Sequence, residues 1–129
     1  MNKKTGKIFA WIIFAVIIAV GVYFWAVSQK SNPALAAFAQ CLTQRGAVMY
    51  GADWCSHCQQ QKSDFKDAWQ FINYVECPAN PQKCLDAGID GYPTWIFPDG
   101  STGSPQGGKK LQGYQGLEKL SQESGCQLY

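Results

Sequence analysis

Histidine and methionine are scarce in this chain: one His, His57, and two Met among 129 residues. That scarcity argues against a copper chaperone built on clustered imidazoles and thioethers, and leaves only thiolates as soft ligands. Basic residues form no stripe with interleaved aromatics, so the usual footprint of nucleic-acid binding is missing. The formal charge of +2 is itself misleading. Lys3, Lys4 and Lys7 precede an apolar run, and without them eight basic residues face nine acidic ones. No internal repeat and no large low-complexity tract is present, which excludes a repeat architecture.

Cysteine, by contrast, is abundant: there are six in 129 residues. Such density in a short chain indicates an oxidising compartment, a metal site or redox chemistry. The length suits one small domain plus an anchor.

Ile8 to Val27 is a run of 20 residues with no charge and no strongly polar group. A bilayer core of ~30 Å needs about 20 such residues as a helix. Trp11 near one end and Tyr23 and Trp25 near the other suit the two interfaces. The basic flank 1–7 is expected on the cytoplasmic side, with everything after the single-pass helix outside, in a periplasm or lumen. A cleaved signal peptide is the competing reading, because Ala34-Leu35-Ala36 offers a small-residue cleavage site. Signal h-regions are usually about 7–15 residues, shorter than this run, so the anchor is preferred. Residues 28–33 form a polar linker reaching about 20 Å at ~3.4 Å per residue, which holds the following domain close to the membrane.

The domain, 34–129, reads as an α/β chain. Leu35, Phe38, Ala39 and Leu42 have helical spacing, and Gly46 is a plausible stop. Ala47 to Tyr50 is a buried strand, and a helix follows Cys58. Phe71 to Cys77 is strand-like, and a short helix around Gln82 to Ala87 ends at Gly88. Thr94 to Phe97 is a strand turned by Pro98-Asp99-Gly100. A small, polar loop to Gly108 leads into an edge strand, Lys109 to Tyr114. Gly116 to Ser124 closes the domain as a helix. The order α-βα-βα-ββα fits a mixed central sheet with helices on both faces.

The chain is organised around Met49 to Cys58. A strand enters this stretch, Gly51 and Asp53 break it, and Cys55 and Cys58 lie at the turn into a helix. A helix N-terminus has unpaired N–H groups and a positive dipole end, which favour a thiolate at Cys55. Cys55 is therefore the expected attacking sulfur and Cys58 its resolving partner. Zinc held by Cys55, Cys58, Cys77 and Cys84 is an alternative the spacing permits. Trp54 and Pro93 would then have no role.

Trp54-Cys55-Ser56-His57-Cys58 after an apolar strand, followed by Gly91-Tyr92-Pro93-Thr94, resembles the thioredoxin superfamily over roughly 34–126. With Val75-Glu76-Cys77, Cys84 and Trp95, it is most similar to the thioredoxin-like domains associated with bacterial homologues of vitamin K epoxide reductase. The resemblance implies a thioredoxin-like fold and a cis Tyr92–Pro93 bond facing Cys55. It also implies substrate contacts at Trp54 and Tyr92. His57, just before the second cysteine, is similar to what disulfide oxidases and isomerases carry. It would stabilise the thiolate and make the disulfide more oxidising. Many thioredoxins have a buried aspartate six residues before the first cysteine, where this chain has Met49. Met49 reads as core, with Glu76 or a water as substitutes, and Asp53 and Lys62 read as solvated.

Cys41, Cys77, Cys84 and Cys126 allow three pairings. Topology favours Cys77–Cys84 and Cys41–Cys126 as structural bridges, with Cys77 and Cys84 as a redox relay the functional alternative. The resulting expectation is a membrane-anchored thiol–disulfide oxidoreductase that oxidises reduced or misoxidised substrate proteins through Cys55–Cys58. A membrane-embedded quinone-linked oxidase, such as a vitamin K epoxide reductase homologue, would reoxidise it. No bound cofactor, resident metal or nucleic acid is expected. The alternatives are a reductant for cytochrome maturation or disulfide repair, and a non-enzymatic binding or copper-chaperone module.

Overall fold

The computed structural model describes residues 3–28, 32–98 and 108–128, with side chains over 11–25, 32–98 and 108–128. The chain divides into two units, 1–30 and 31–129. The first is one helix, α1 (Lys3–Ser28), of 26 residues. Its apolar side chains, among them Trp11, Ile17, Phe24 and Trp25, are exposed. Among the described residues no helix is long and apolar enough to cross a membrane.

The second unit starts with α2 (Pro33–Gln44). Proline suits the first helical position, and the Asn32 side chain caps the helix by accepting the Ala34 N–H at 3.0 Å. The chain leaves α2 through Gly46, whose φ of 77° needs a residue without Cβ. There follow β1 (Val48–Gly51), α3 (Ser56–Phe65), a 3₁₀ turn (Lys66–Phe71) and β2 (Asn73–Glu76). Then come α4 (Pro81–Asp86), β3 (Thr94–Phe97), β4 (Lys109–Gln112) and α5 (Leu117–Ser124).

The four strands form one mixed sheet in the order β2-β1-β3-β4. β1 runs parallel to β2, with Met49 opposite Tyr74 and Gly51 opposite Glu76, and antiparallel to β3. Among the described residues β4 pairs only with β3 and is an edge strand, as expected. Because strand side chains alternate, Met49, Trp95 and Phe97 face one side of the sheet while Tyr50 and Ile96 face the other. The first side holds the larger core, with Phe38 and Leu42 of α2, Phe65 of α3 and Leu120 of α5. Phe38 and Phe65 stack with centroids 6.0 Å apart, and burial of each contributes about 2–3 kcal/mol. The other side holds a small cluster in which Cys84 of α4, Cys77 and Ala87 cover Tyr50 and Ile96. Cys77–Cys84 and Cys41–Cys126 are both disulfides, with Cα separations of 5.7 and 5.9 Å.

Two strand boundaries are corrected. The strand predicted from Phe71 begins at Asn73, because Lys66, at φ 49°, ends α3 and opens the 3₁₀ turn through Phe71. Phe71 is apolar because it packs on the core, not because it pairs in the sheet. The edge strand also stops short of Tyr114. Gly113 turns the chain at φ 86°, which frees the Tyr114 hydroxyl to donate to Asp64 at 2.6 Å. The Pro98–Gly100 turn and the following loop lie outside the described residues apart from Pro98 and Gly108.

Candidate active site

β1 delivers the chain to the edge of the core at Gly51, and residues 52–55 turn it into α3. The Cys55 N–H bonds back to the Ala52 carbonyl at 3.0 Å, which closes that turn. Cys55 is the N-cap of α3. Its backbone is extended, and its Sγ accepts the Cys58 N–H at 3.3 Å. A sulfur thus takes the place usually held by a Ser or Asp oxygen, satisfying one of the free N–H groups of the first turn.

Cys55 and Cys58 are both free thiols. Cys55 lies at the rim, 9 % exposed, whereas Cys58, one helical turn on, is fully buried. Burial pushes the Cys58 thiol up to about 12, and its hydrogen bond with Cys55 adds to the rise. At neutral pH Cys58 is therefore a neutral thiol. His57 lies between them, exposed in the first turn of α3.

Trp54, the residue before Cys55, is 73 % exposed and meets the Tyr92 ring edge-on at 6.0 Å. That contact brings the second motif to the first. The Tyr92–Pro93 bond is cis, and the buried Pro93 accepts the Gly113 N–H through its carbonyl at 2.7 Å. Trp54, Cys55 and Tyr92 therefore share one surface.

On the inner side, an added Cβ at Gly51 would lie 2.9 Å from Cys58 Sγ, 3.2 Å from Tyr74 Cε2 and 3.4 Å from the Tyr74 hydroxyl. Glycine is needed here so that the Cys58 sulfur and the Tyr74 ring can close over the strand. The Tyr74 hydroxyl donates to Glu76 Oε2, and the other oxygen of that carboxylate accepts the Asp53 N–H at 3.0 Å. Burial first, and then Glu76, push the Tyr74 phenol up. Lys62 was expected to be solvated and is not: its side chain is 24 % exposed, because its ammonium sits 4.0 Å over the Tyr74 ring. It also pairs with Asp53 at 2.7 Å, and that ion pair holds the Asp53 carboxyl below its ordinary value. Asp53, 75 % exposed, is solvated as expected. Met49 is wholly buried core.

Gln61, a polar residue in the middle of α3, is fully buried. Its Oε1 accepts the Gln115 N–H at 2.9 Å and the Trp95 indole N–H at 3.4 Å, joining α3 to the sheet and to the segment before α5. Its Nε2 has no partner among the described residues. Cys77 and Cys84 are bonded to each other, so the four-thiolate zinc set reduces to two free thiols. Among the described residues no cluster of three or more His, Cys, Asp or Glu could hold a metal.

A family model described as Thioredoxin matches residues 29–123, most of the chain. The chain belongs to the thioredoxin family. It is 40% identical over 111 residues to the thiol-disulfide oxidoreductase LTO1 of Arabidopsis thaliana, covering 79% of this chain and 27% of that protein. It is 32% identical over 84 residues to a thioredoxin domain-containing protein 5 homolog of Drosophila melanogaster, covering 57% of this chain and 18% of the relative. The chain thus spans about a quarter or less of the length of these relatives. In this thioredoxin-family chain the matched region includes both cysteine motif and Pro93, and it stops short of Cys126.

Proposed function

We propose that this chain is a membrane-anchored thiol–disulfide oxidoreductase that oxidises protein thiols through a Cys55–Cys58 disulfide. The observation that carries the reading is the pairing of a rim sulfur at a helix N-terminus with a buried thiol one turn behind it. A substrate thiolate attacks Cys55 Sγ and the Cys55–Cys58 bond breaks, leaving a mixed disulfide. A second substrate thiol attacks that bond, releasing oxidised substrate and the enzyme dithiol. Trp54 and Tyr92 supply an apolar surface for the substrate segment beside Cys55. His57 adds positive character near the rim sulfur and biases the pair toward the dithiol, which makes the disulfide the stronger oxidant.

The uncharged apolar run 8–27 supports anchoring, with the basic flank cytoplasmic and the thioredoxin-like domain outside. An anchored domain favours a membrane-embedded partner for reoxidation. A quinone-linked oxidase of the vitamin K epoxide reductase type fits that role, in keeping with the resemblance of the cysteine and proline motifs.

The test is the reduction potential of the pair in the full chain, held in detergent and equilibrated against glutathione, with mass-resolved alkylation. A value of about −120 to −200 mV is expected, and His57→Pro moves it downward by about 30 mV or more. A value near about −270 mV would reverse the electron flow and make the protein a reductant. A pair that never titrates would overturn redox catalysis in favour of metal binding.

A further inference from the structure

Cys58 must gain and lose a proton in each cycle, and it does so where no solvent reaches it. The carrier of that proton has to come from the groups around its sulfur. Met49, buried and opposite Tyr74 in the sheet, has no proton to exchange. We propose that Tyr74 and Glu76 form the proton-transfer pair for Cys58, with the phenol passing a proton between the thiol and the carboxylate.

The register makes this arrangement. Tyr74 and Glu76 are two apart on β2, so both face the side of the sheet from which α3 presents Cys58. The Tyr74 hydroxyl and Cys58 Sγ both lie within 3.4 Å of a single point above Gly51, a separation that direct contact or one bridging water spans. The phenol already donates to Glu76 Oε2. Glu76 is half-buried, so it can exchange protons with solvent where Cys58 cannot. Of the other charged groups near the phenol, Lys62 of α3 lies over the ring and pairs with Asp53 of the preceding turn. Asp53 in turn fixes Glu76 through its backbone N–H. The 3₁₀ turn contributes the Trp69 ring, 5.5 Å from Tyr74.

The proposal rests on the redox reading above. When substrate thiolate opens the Cys55–Cys58 bond, Cys58 leaves with the bonding electron pair and takes the phenol proton. Tyr74 recovers a proton from the Glu76 carboxyl, which is refilled from solvent. On re-forming the bond from a mixed disulfide at Cys55, Cys58 loses its proton to Tyr74 and Tyr74 passes its own to Glu76. The departing partner then carries away the electron pair of the broken bond.

The experiment forms the Cys55–glutathione mixed disulfide on the full chain in detergent and times glutathione release by Cys58 from pH 5 to 10. Tyr74→Phe keeps the ring packing and removes the relay. It is expected to slow release at pH 7 by at least about tenfold and to make the rate climb with hydroxide where the wild type levels off. Glu76→Gln shifts the profile in the same direction and carries the test should Tyr74→Phe fold poorly. A purely structural role would lower stability and leave the pH profile in place. Wild-type rates and profile in both variants would overturn the relay and leave the redox reading intact. A wild-type protein that forms no mixed disulfide would overturn both.

Discussion

The Cys55 side and the Cys58 side of the site are built from different materials. Around Cys55 the chain sets two aromatic rings, the exposed Trp54 and the half-buried Tyr92, and the exposed His57 follows in the first turn of α3. Around Cys58 it sets a buried glycine contact, a phenol, a carboxylate and a covered ammonium, linked by hydrogen bonds and an ion pair. The first set suits docking an extended partner and being attacked, and the second suits holding a neutral thiol and moving its proton. One turn of helix separates them. The difference teaches that a cysteine pair is made asymmetric less by its own spacing than by what each sulfur is packed against.

The largest perturbation spares both sides and removes their frame. Cys41–Cys126 closes a separation of 85 residues and Cys77–Cys84 one of 7. Loop-closure entropy makes the long bridge worth at most ~4.5 kcal/mol and the short one at most ~2.5. Replacing Cys41 and Cys126 by Ala is expected to lower stability by up to that amount in denaturant titration, and the Cys77, Cys84 double variant by less. Glutathione exchange at Cys55 should persist in both. Loss of exchange in a folded Cys77→Ala, Cys84→Ala protein would make that bridge a redox relay instead.

A pH titration sharpens the contrast next. Cys58 is raised from an ordinary value of 9.0 to about 12 in the fold, so folding favours its neutral form. That contribution to stability is complete below about 9 and is lost as pH rises toward 12. The reduced protein is expected to lose thermal stability through that window, while the oxidised protein, with no thiol at Cys58, lacks this component. Parallel curves for the two forms would remove the claim that Cys58 is held neutral by burial.

The smallest change is aimed at the contact surface between the strand and the buried sulfur. Gly51→Ala places a methyl 2.9 Å from Cys58 Sγ and against the Tyr74 ring, and costs about 1–3 kcal/mol by overpacking. Its effect on glutathione release should exceed its effect on Cys55 alkylation. Equal effects on both would mean that the two sulfurs are not separately housed.

Much of the rim was legible in the sequence, and little of the buried side was. An apolar strand broken by Gly51 and followed by a helical pattern places Cys55 at a helix start, because chain order alone determines that position. Pro93 and Thr94–Phe97 were readable for the same local reason. Glu76 was named as a substitute for the missing aspartate, but Tyr74 was not, since which face of β2 points toward Cys58 depends on pairing with β1. Lys62 reads as solvated, and nothing local marks Gln61 as buried. The burial of Gln61 comes from Trp95 and Gln115, and the partial cover of Lys62 from Tyr74 and Trp69. The 3₁₀ turn was hidden because Lys66 takes a positive φ that its side chain does not announce.

The most direct measurement compares two full-length reduced variants, Cys58→Ser and Cys55→Ser, reacted with oxidised glutathione at pH 7 and read by intact mass. If Cys55 attacks and Cys58 only resolves, the Cys58→Ser protein forms its adduct at least roughly 50-fold faster than the Cys55→Ser protein. Equal rates, or faster reaction through Cys58, would contradict the division of roles on which the whole account rests.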